Sequence, residues 1–254
     1  MERIALRGVV VPGRERPRLA GIDLELGTRG LTVLVGPNGS GKSTLLGALL
    51  GQVRTAAGEV RWGGRSIPAM DLRERASRLA WLPQRPRLEE GLRAEEVVAA
   101  ARYRFDEPQR VALEVARQAL AEVGASAFAS VQMTQLSGGE AQRVRLAALR
   151  AQEAEVWLLD EPGAHLDPAV RLELVEVIAG RKVGGAVVVS HDLTVVARLG
   201  ARGARVVGLQ EGRVAFDLEG GDPALTEALG ALLSLDLRQV EIEGQRSWVV
   251  VGRR

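Results

Sequence analysis

Gly36-Pro37-Asn38-Gly39-Ser40-Gly41-Lys42-Ser43-Thr44 fits the pattern G-x-x-x-x-G-K-[ST]. Its glycines let the backbone wrap closely enough for its N–H groups to point at phosphate oxygens, and a helix starting near Lys42 adds its positive dipole end. In this pattern Lys42 reaches the β- and γ-phosphates and the Ser43 hydroxyl ligates Mg²⁺. A second stretch, Val156-Trp157-Leu158-Leu159-Asp160-Glu161, puts two carboxylates after an apolar run. Asp160 then supports Mg²⁺ through water, and Glu161 is placed to orient and deprotonate an attacking water, because a phosphate cradle supplies no base. A third, Leu136-Ser137-Gly138-Gly139-Glu140 followed by Gln142 and Arg143, reads as a helix start capped by Ser137. Each has a bland reading: a glycine turn, a strand ending in solvated acids, an ordinary helix cap. Average composition yields a chance match to the first pattern in about one chain of this length per hundred.

The flanking sequence supplies the elements that would hold these residues. Leu31 to Val35 is apolar but for Thr32 and reads as a buried strand; Thr44 to Leu50 reads as a helix, so the glycine-rich segment sits in a strand–loop–helix context. Ile4 to Val11, Ile22 to Leu26 and Gly58 to Trp62 read as strands. Asp71 caps a short helix to Arg78, and Leu79 to Leu82 returns to strand. From Leu92 to about Arg150 apolar residues recur at helical spacing, among them Val111, Val115, Ala119 and Val123. Val156 to Leu159, Ala186 to Val189 and, but for Arg205 itself, Arg205 to Leu209 are short apolar runs between helical segments, as in a parallel sheet covered by helices. Asp222-Pro223 reads as a cap and first helical residue of a helix to about Leu233, with a hairpin through Val240, Ile242 and Trp248 to Val251 closing the chain.

With 254 residues and 46% hydrophobic content the chain can bury a sizeable core. No run approaches the roughly 18 apolar residues of a membrane span, and Met1-Glu2-Arg3-Ile4 does not open an apolar leader, so a soluble, unexported protein is expected. The absence of cysteine excludes disulfides and thiolate metal sites. The 34 basic residues nearly balance 32 acidic ones, for a net charge of +2, which gives nucleic-acid binding no support. Lys42 and Lys182 are the two lysines, His165 and His191 the two histidines.

LSGGE with QR after it, downstream of the phosphate loop and upstream of LLDEP, resembles the ATP-binding cassette (ABC) family, and the resemblance covers nearly the whole chain. It implies a P-loop ATPase fold of class α/β: a mainly parallel sheet core with an antiparallel β-subdomain and an inserted helical lobe. The implied domains are a nucleotide-binding core over 1–84 and 152–217, a helical signature subdomain over 85–151, and a C-terminal helix and hairpin over 218–254. It also implies that Ser137, Gly138 and Gly139 close over the γ-phosphate of ATP held by a second copy, with Asp167 working across the same interface. Gln84, after Leu82-Pro83, resembles the glutamine of the Q-loop that joins core to helical lobe, implying a catalytic role and a place among the Mg²⁺ ligands; His191, after Val189-Ser190, resembles the switch histidine near the γ-phosphate. Lys42, Asp160, Glu161 and His191 being all present, an inactive relic is not expected.

A lone cassette resembles the ATPase subunit of an importer, peripheral on the cytoplasmic face of the cell membrane, docked to permease subunits and served indirectly by a substrate-binding protein. Ser66 to Gln84 and the tail Arg238 to Val251 are similar to the importers for ferric siderophores, haem and cobalamin. A soluble cassette of an assembly complex, such as iron–sulfur cluster scaffolding, is the alternative. Segment 45–135 leaves no room for the long coiled coil of DNA-repair cassettes. Two departures from the family stand out. Gly163-Ala164-His165 occupies positions where Thr or Ser, Ser and Ala are common. No Phe, Tyr or Trp precedes Trp62, although many members stack adenine on an aromatic residue there. Weak discrimination between ATP and GTP is the expected consequence; strong ATP preference in competition binding would reject it.

Overall fold

The computed structural model describes residues 2–84, 91–164, 166–181, 184–242 and 245–254. Two compact units divide the chain: Met1–Met70 with Arg181–Arg254, and Asp71–Gly180. The first begins with β1 (Arg3–Val11), β2 (Leu19–Gly27), β3 (Gly30–Val35), α1 (Lys42–Leu49), β4 (Ala57–Trp62) and β5 (Arg65–Ser66). The chain then forms the second unit: α2 (Leu72–Arg78), β6 (Leu79–Leu82), α3 (Ala94–Ala100), α4 (Gln109–Glu122), α5 (Gly138–Ala151), β7 (Val156–Asp160) and α6 (Pro168–Ala179). It returns to the first with β8 (Gly185–Val189), α7 (Leu193–Ala201), β9 (Arg205–Gln210), β10 (Arg213–Glu219), α8 (Leu225–Leu233), β11 (Leu235–Ile242) and β12 (Gln245–Arg253).

In the first unit β1 pairs antiparallel with β2 and β4, and its alternating burial leaves one face wet, as such sheets allow. β3 instead lies between parallel neighbours β8 and β9, with Thr32, Val33, Leu34 and Val35 all buried, which is why its sequence is apolar apart from Thr32 and does not alternate. β10, which no apolar run announces, is antiparallel to β9; its Phe216 covers Gly208, where a Cβ would come within 2.4 Å of the ring. The terminal hairpin β11–β12 buries Trp248, whose indole N–H donates to the Thr226 hydroxyl of α8 at 2.9 Å. α8 starts later than the Asp222-Pro223 cap suggests. The Asp222 carboxylate accepts from Ala224 N at 2.8 Å, a local turn that uses up the cap, and the helix runs from Leu225 with Ala224 at its N-cap.

In the second unit β6 and β7 are parallel, with Leu82 opposite Leu159. α3, α4 and α5 pack together through Val98, Ala116, Leu120, Val144 and Ala147, all buried, which accounts for the helical periodicity from Leu92 onward. The carboxyl end of α5 is braced by Arg102. This guanidinium, 6% exposed, donates to the Ala151 carbonyl and Glu153 at 2.8 Å each, holds Glu107 through two nitrogens at 2.5 and 2.8 Å, and covers the Phe105 ring. These partners raise its pKa, led by the Glu107 hydrogen bond, and it is charged at every accessible pH. Gln152 adds bonds to the carbonyls of Ala76 and Leu79, tying the same end of α5 to α2 and β6. Because loss of one member of a buried ion pair strands the other, Arg102→Ala is expected to lower the unfolding free energy by about 3 kcal/mol, measured by denaturant titration.

Candidate functional site

In the first unit the predicted phosphate loop leaves the carboxyl end of β3 and enters α1 at Lys42, with Gly41 as a left-handed N-cap at φ 108°. Gly36, Gly39 and Gly41 all have positive φ, so each needs glycine for its backbone alone. Two are also crowded. A Cβ on Gly36 would lie 2.2 Å from the Leu209 carbonyl oxygen, and one on Gly41 would lie 2.6 Å from that of Arg18. The Lys42 ammonium is drawn under the loop by the carbonyls of Gly36 at 2.8 Å and Pro37 at 3.0 Å, with the buried Ser40 hydroxyl at 3.5 Å. Ser43 follows on the first turn of α1 and Thr44 after it. A glycine-shaped backbone cradle with one ammonium inside and a hydroxyl beside it suits a nucleotide's phosphates and Mg²⁺.

His191 is brought to the same end of the sheet. β8 runs parallel to β3 with Val189 opposite Leu34, and Ser190 N donates to the Leu34 carbonyl at 3.1 Å, so His191 emerges level with the start of the loop. The next residue, Asp192, caps α7 by accepting from Thr194 N at 2.8 Å, which leaves His191 on a short, exposed connection.

The second unit gathers the predicted carboxylates and Gln84. The parallel register of β6 and β7 carries Pro83-Gln84 and Asp160-Glu161 off the same ends of neighbouring strands. Asp160 closes a strand whose five residues are all buried, and Glu161 follows at φ 49°, in the left-handed region that costs a non-glycine residue conformational energy. A tight turn continues from it, Ala164 N donating to the Glu161 carbonyl at 3.0 Å. Ser137 and Glu140 form a reciprocal capping box at the start of α5: the carboxylate accepts from Ser137 N at 2.8 Å, and Glu140 N donates to the Ser137 hydroxyl at 3.4 Å. A Cβ on Gly138 would meet nothing within 4 Å, so the fold itself does not demand glycine there, whereas one on Gly139 would press on Val170 of α6 at 3.1 Å. Asp167 occupies the N-cap of α6 without making a side-chain cap bond. His165 lies outside the described residues; its neighbour Gly163 gives room to Arg171, which donates to the Leu166 carbonyl at 3.0 Å.

The family model described as ABC transporter matches residues 19–164. The chain belongs to the ABC transporter family. The hemin import ATP-binding protein HmuV of Streptomyces coelicolor is 40% identical to this ATPase over 235 residues, covering 89% of this chain and 80% of that protein. The manganese transport system ATP-binding protein MntB of Bacillus subtilis is 34% identical over 198 residues, 75% of this chain and 77% of its own. Among solved structures, an inward-facing metal-chelate type ABC transporter superposes with a TM-score of 0.81 at 22% identity, covering 99% of this chain and 98% of that one. The dimeric structure of MJ0796, a bacterial ABC transporter cassette, superposes with a TM-score of 0.75 at 25% identity, covering 86% and 99%. The fold is therefore that of an ABC cassette, as the motif order implied.

Sequence reasoning noted Gln142 only as part of a motif; the structure gives it a partner, its side-chain N–H donating to the Pro162 carbonyl at 2.6 Å. The capping box has an electrostatic consequence of its own. The Glu140 carboxyl is held below its ordinary value first by the Ser137 backbone N–H, then by the Ser137 hydroxyl and by Arg143. A lowered native pKa means that its stabilisation is complete above the ordinary glutamate value, about 4.3, and is lost as pH falls through the native one. Thermal melts of wild type and Glu140→Ala should accordingly differ by a constant amount near neutrality and converge in acid.

Proposed function

We propose that this ATPase is the energy-coupling subunit of an importer for haem or a related ferric chelate, working as a closed pair of cassettes. The observation that carries the reading is the 40% identity to a hemin import ATP-binding protein across 89% of this chain. In this reading Gly36 to Thr44 bind the triphosphate, with Lys42 on the β- and γ-phosphates. Ser43, Asp160 and Gln84 hold Mg²⁺ directly or through water, and the ion supplies charge neutralisation of the phosphate oxygens. Glu161 accepts the proton of the attacking water, Gln84 helps orient that water, and His191 donates toward the γ-phosphate. Ser137, Gly138, Gly139 and Asp167 complete the site of the partner copy; the open space in front of Gly138 suits close approach of a phosphate. Residues 1–84 and 152–217 act as the nucleotide-binding core, 85–151 as the signature subdomain and 218–254 as an extension.

No helix among the described residues is long and apolar enough to cross a membrane. In this reading integral membrane permease subunits supply the path for the chelate. Leu72 at 72%, Tyr103 at 58% and Trp81 at 39% exposure give the second unit apolar side chains suited to a permease loop. A peripheral position on the cytoplasmic face, with a substrate-binding protein delivering the chelate, follows from that role.

Glu161→Gln tests the catalytic assignment, with light scattering beside phosphate release. Turnover should fall by about a hundredfold or more while MgATP accumulates a stable dimer; wild-type turnover would remove Glu161 as the base. Co-purification with polytopic membrane proteins supports the importer, and a stable soluble complex would support an assembly role instead.

A further inference from the structure

We propose that Gln142 is a positioning residue for Glu161, and that through it α5 ties a cassette's own base to the signature residues that read its partner's nucleotide. The inference rests on the proposed function, in which Glu161 is the base and Ser137 to Gly139 act in trans.

Glu161 needs external restraint. Its backbone sits at φ 49°, where a non-glycine residue is disfavoured, and the carboxylate's aim follows from that backbone. Toward the amino end β7 fixes it, every residue being buried in the sheet. Toward the carboxyl end the turn of Ala164 N onto the Glu161 carbonyl is local and would move with it. Two side chains anchor that side from outside: Arg171 donates to the Leu166 carbonyl at 3.0 Å, and nearer to Glu161 the Gln142 amide donates to the carbonyl of Pro162 at 2.6 Å. Pro162 is buried and its ring fixes φ, so holding its carbonyl sets the plane of the peptide that follows Glu161 by one residue.

The other end of the link is equally fixed. Gln142 lies just beyond the capping box, on the same helix as Ser137, Gly138 and Gly139. Arg143 pairs with Glu173, and Gly139 packs on Val170, so this turn of α5 is seated on α6. The far end of α5 is held by Arg102 and Gln152. A helix pinned at both ends moves as a strut: when its first turn settles on a γ-phosphate from the partner, Gln142 is set against Pro162 and Glu161 is set with it. Each nucleotide would thereby help to align the base of the other site.

Gln142→Met keeps the length of the side chain and removes the donor. Loss of one oriented hydrogen bond should lower kcat about tenfold with KM for MgATP changed less than about twofold. The double variant Glu161→Gln with Gln142→Met should still accumulate the MgATP dimer. A side chain that serves only packing would leave kcat unchanged in Gln142→Met. If that variant fails to fold, Gln142→Glu decides, since a carboxylate of the same size cannot donate to the Pro162 carbonyl and should show the same loss. Wild-type kcat in either variant, or a rise in KM with kcat intact, overturns the inference while leaving the proposed function standing. Wild-type turnover in Glu161→Gln alone would remove the reading beneath it.

Discussion

A side chain on Gly36 would begin 2.2 Å from the Leu209 carbonyl oxygen and 2.9 Å from the Ser40 hydroxyl. That steric limit makes the phosphate loop a wrapped backbone instead of an open turn, and the first unit is arranged around it. β3 must end where the loop begins, so it runs between β8 and β9 with Val35 opposite Gly208. Gly212 N donates to the Ser40 carbonyl and its own carbonyl accepts from Ala20 N, so the β9–β10 turn and the start of β2 close around the loop. Lys42, beginning α1 and bonded to the carbonyls of Gly36 and Pro37, puts a positive charge where the backbone N–H groups and the helix dipole already favour an anion.

The second unit solves another problem, that of holding Glu161, the proposed base, on a backbone that is unfavourable by itself. A strand end gives depth and dryness, because β7 is buried throughout, but cannot hold a left-handed residue beyond it. Side chains from α5 and α6 complete the restraint: Gln142 on Pro162, and Arg171 on Leu166. α5 thus carries the signature residues at its start and a restraint on the turn after Glu161 one step further on.

Arginine does much of this bracing. The chain has 34 basic residues of which two are lysine, and its high pI would suggest a cationic surface. Many of the guanidiniums bind carbonyls and carboxylates of the protein itself. Arg102 and Arg104 hold the end of α5, Arg78 pairs with Glu155, and Arg205 with Asp217. A planar fork that satisfies several acceptors at once does this better than an ammonium. The near balance of 34 basic against 32 acidic residues is the compositional trace of such pairing.

The strand–loop–helix of the phosphate site, the buried strand before Asp160-Glu161, the Asp71 and Ser137 caps and the helical run after Leu92 were all legible in the sequence. Each depends on local chemistry: glycine's positive φ, burial of a parallel strand on both faces, a hydroxyl or carboxylate three residues from a free N–H. β10 was hidden because its pattern is alternation at a half-exposed edge, and the start of α8 was displaced because Asp222 closed a turn before it could cap a helix. Tertiary structure alone led Gln84 and Asp160-Glu161 off the same ends of neighbouring strands, bonded Gln142 to Pro162, and clustered Arg102 with Ala151 and Glu153. These pairs lie twenty or more positions apart, where no local propensity acts, and only the register of β6 on β7 and the packing of α5 decide which side chains meet.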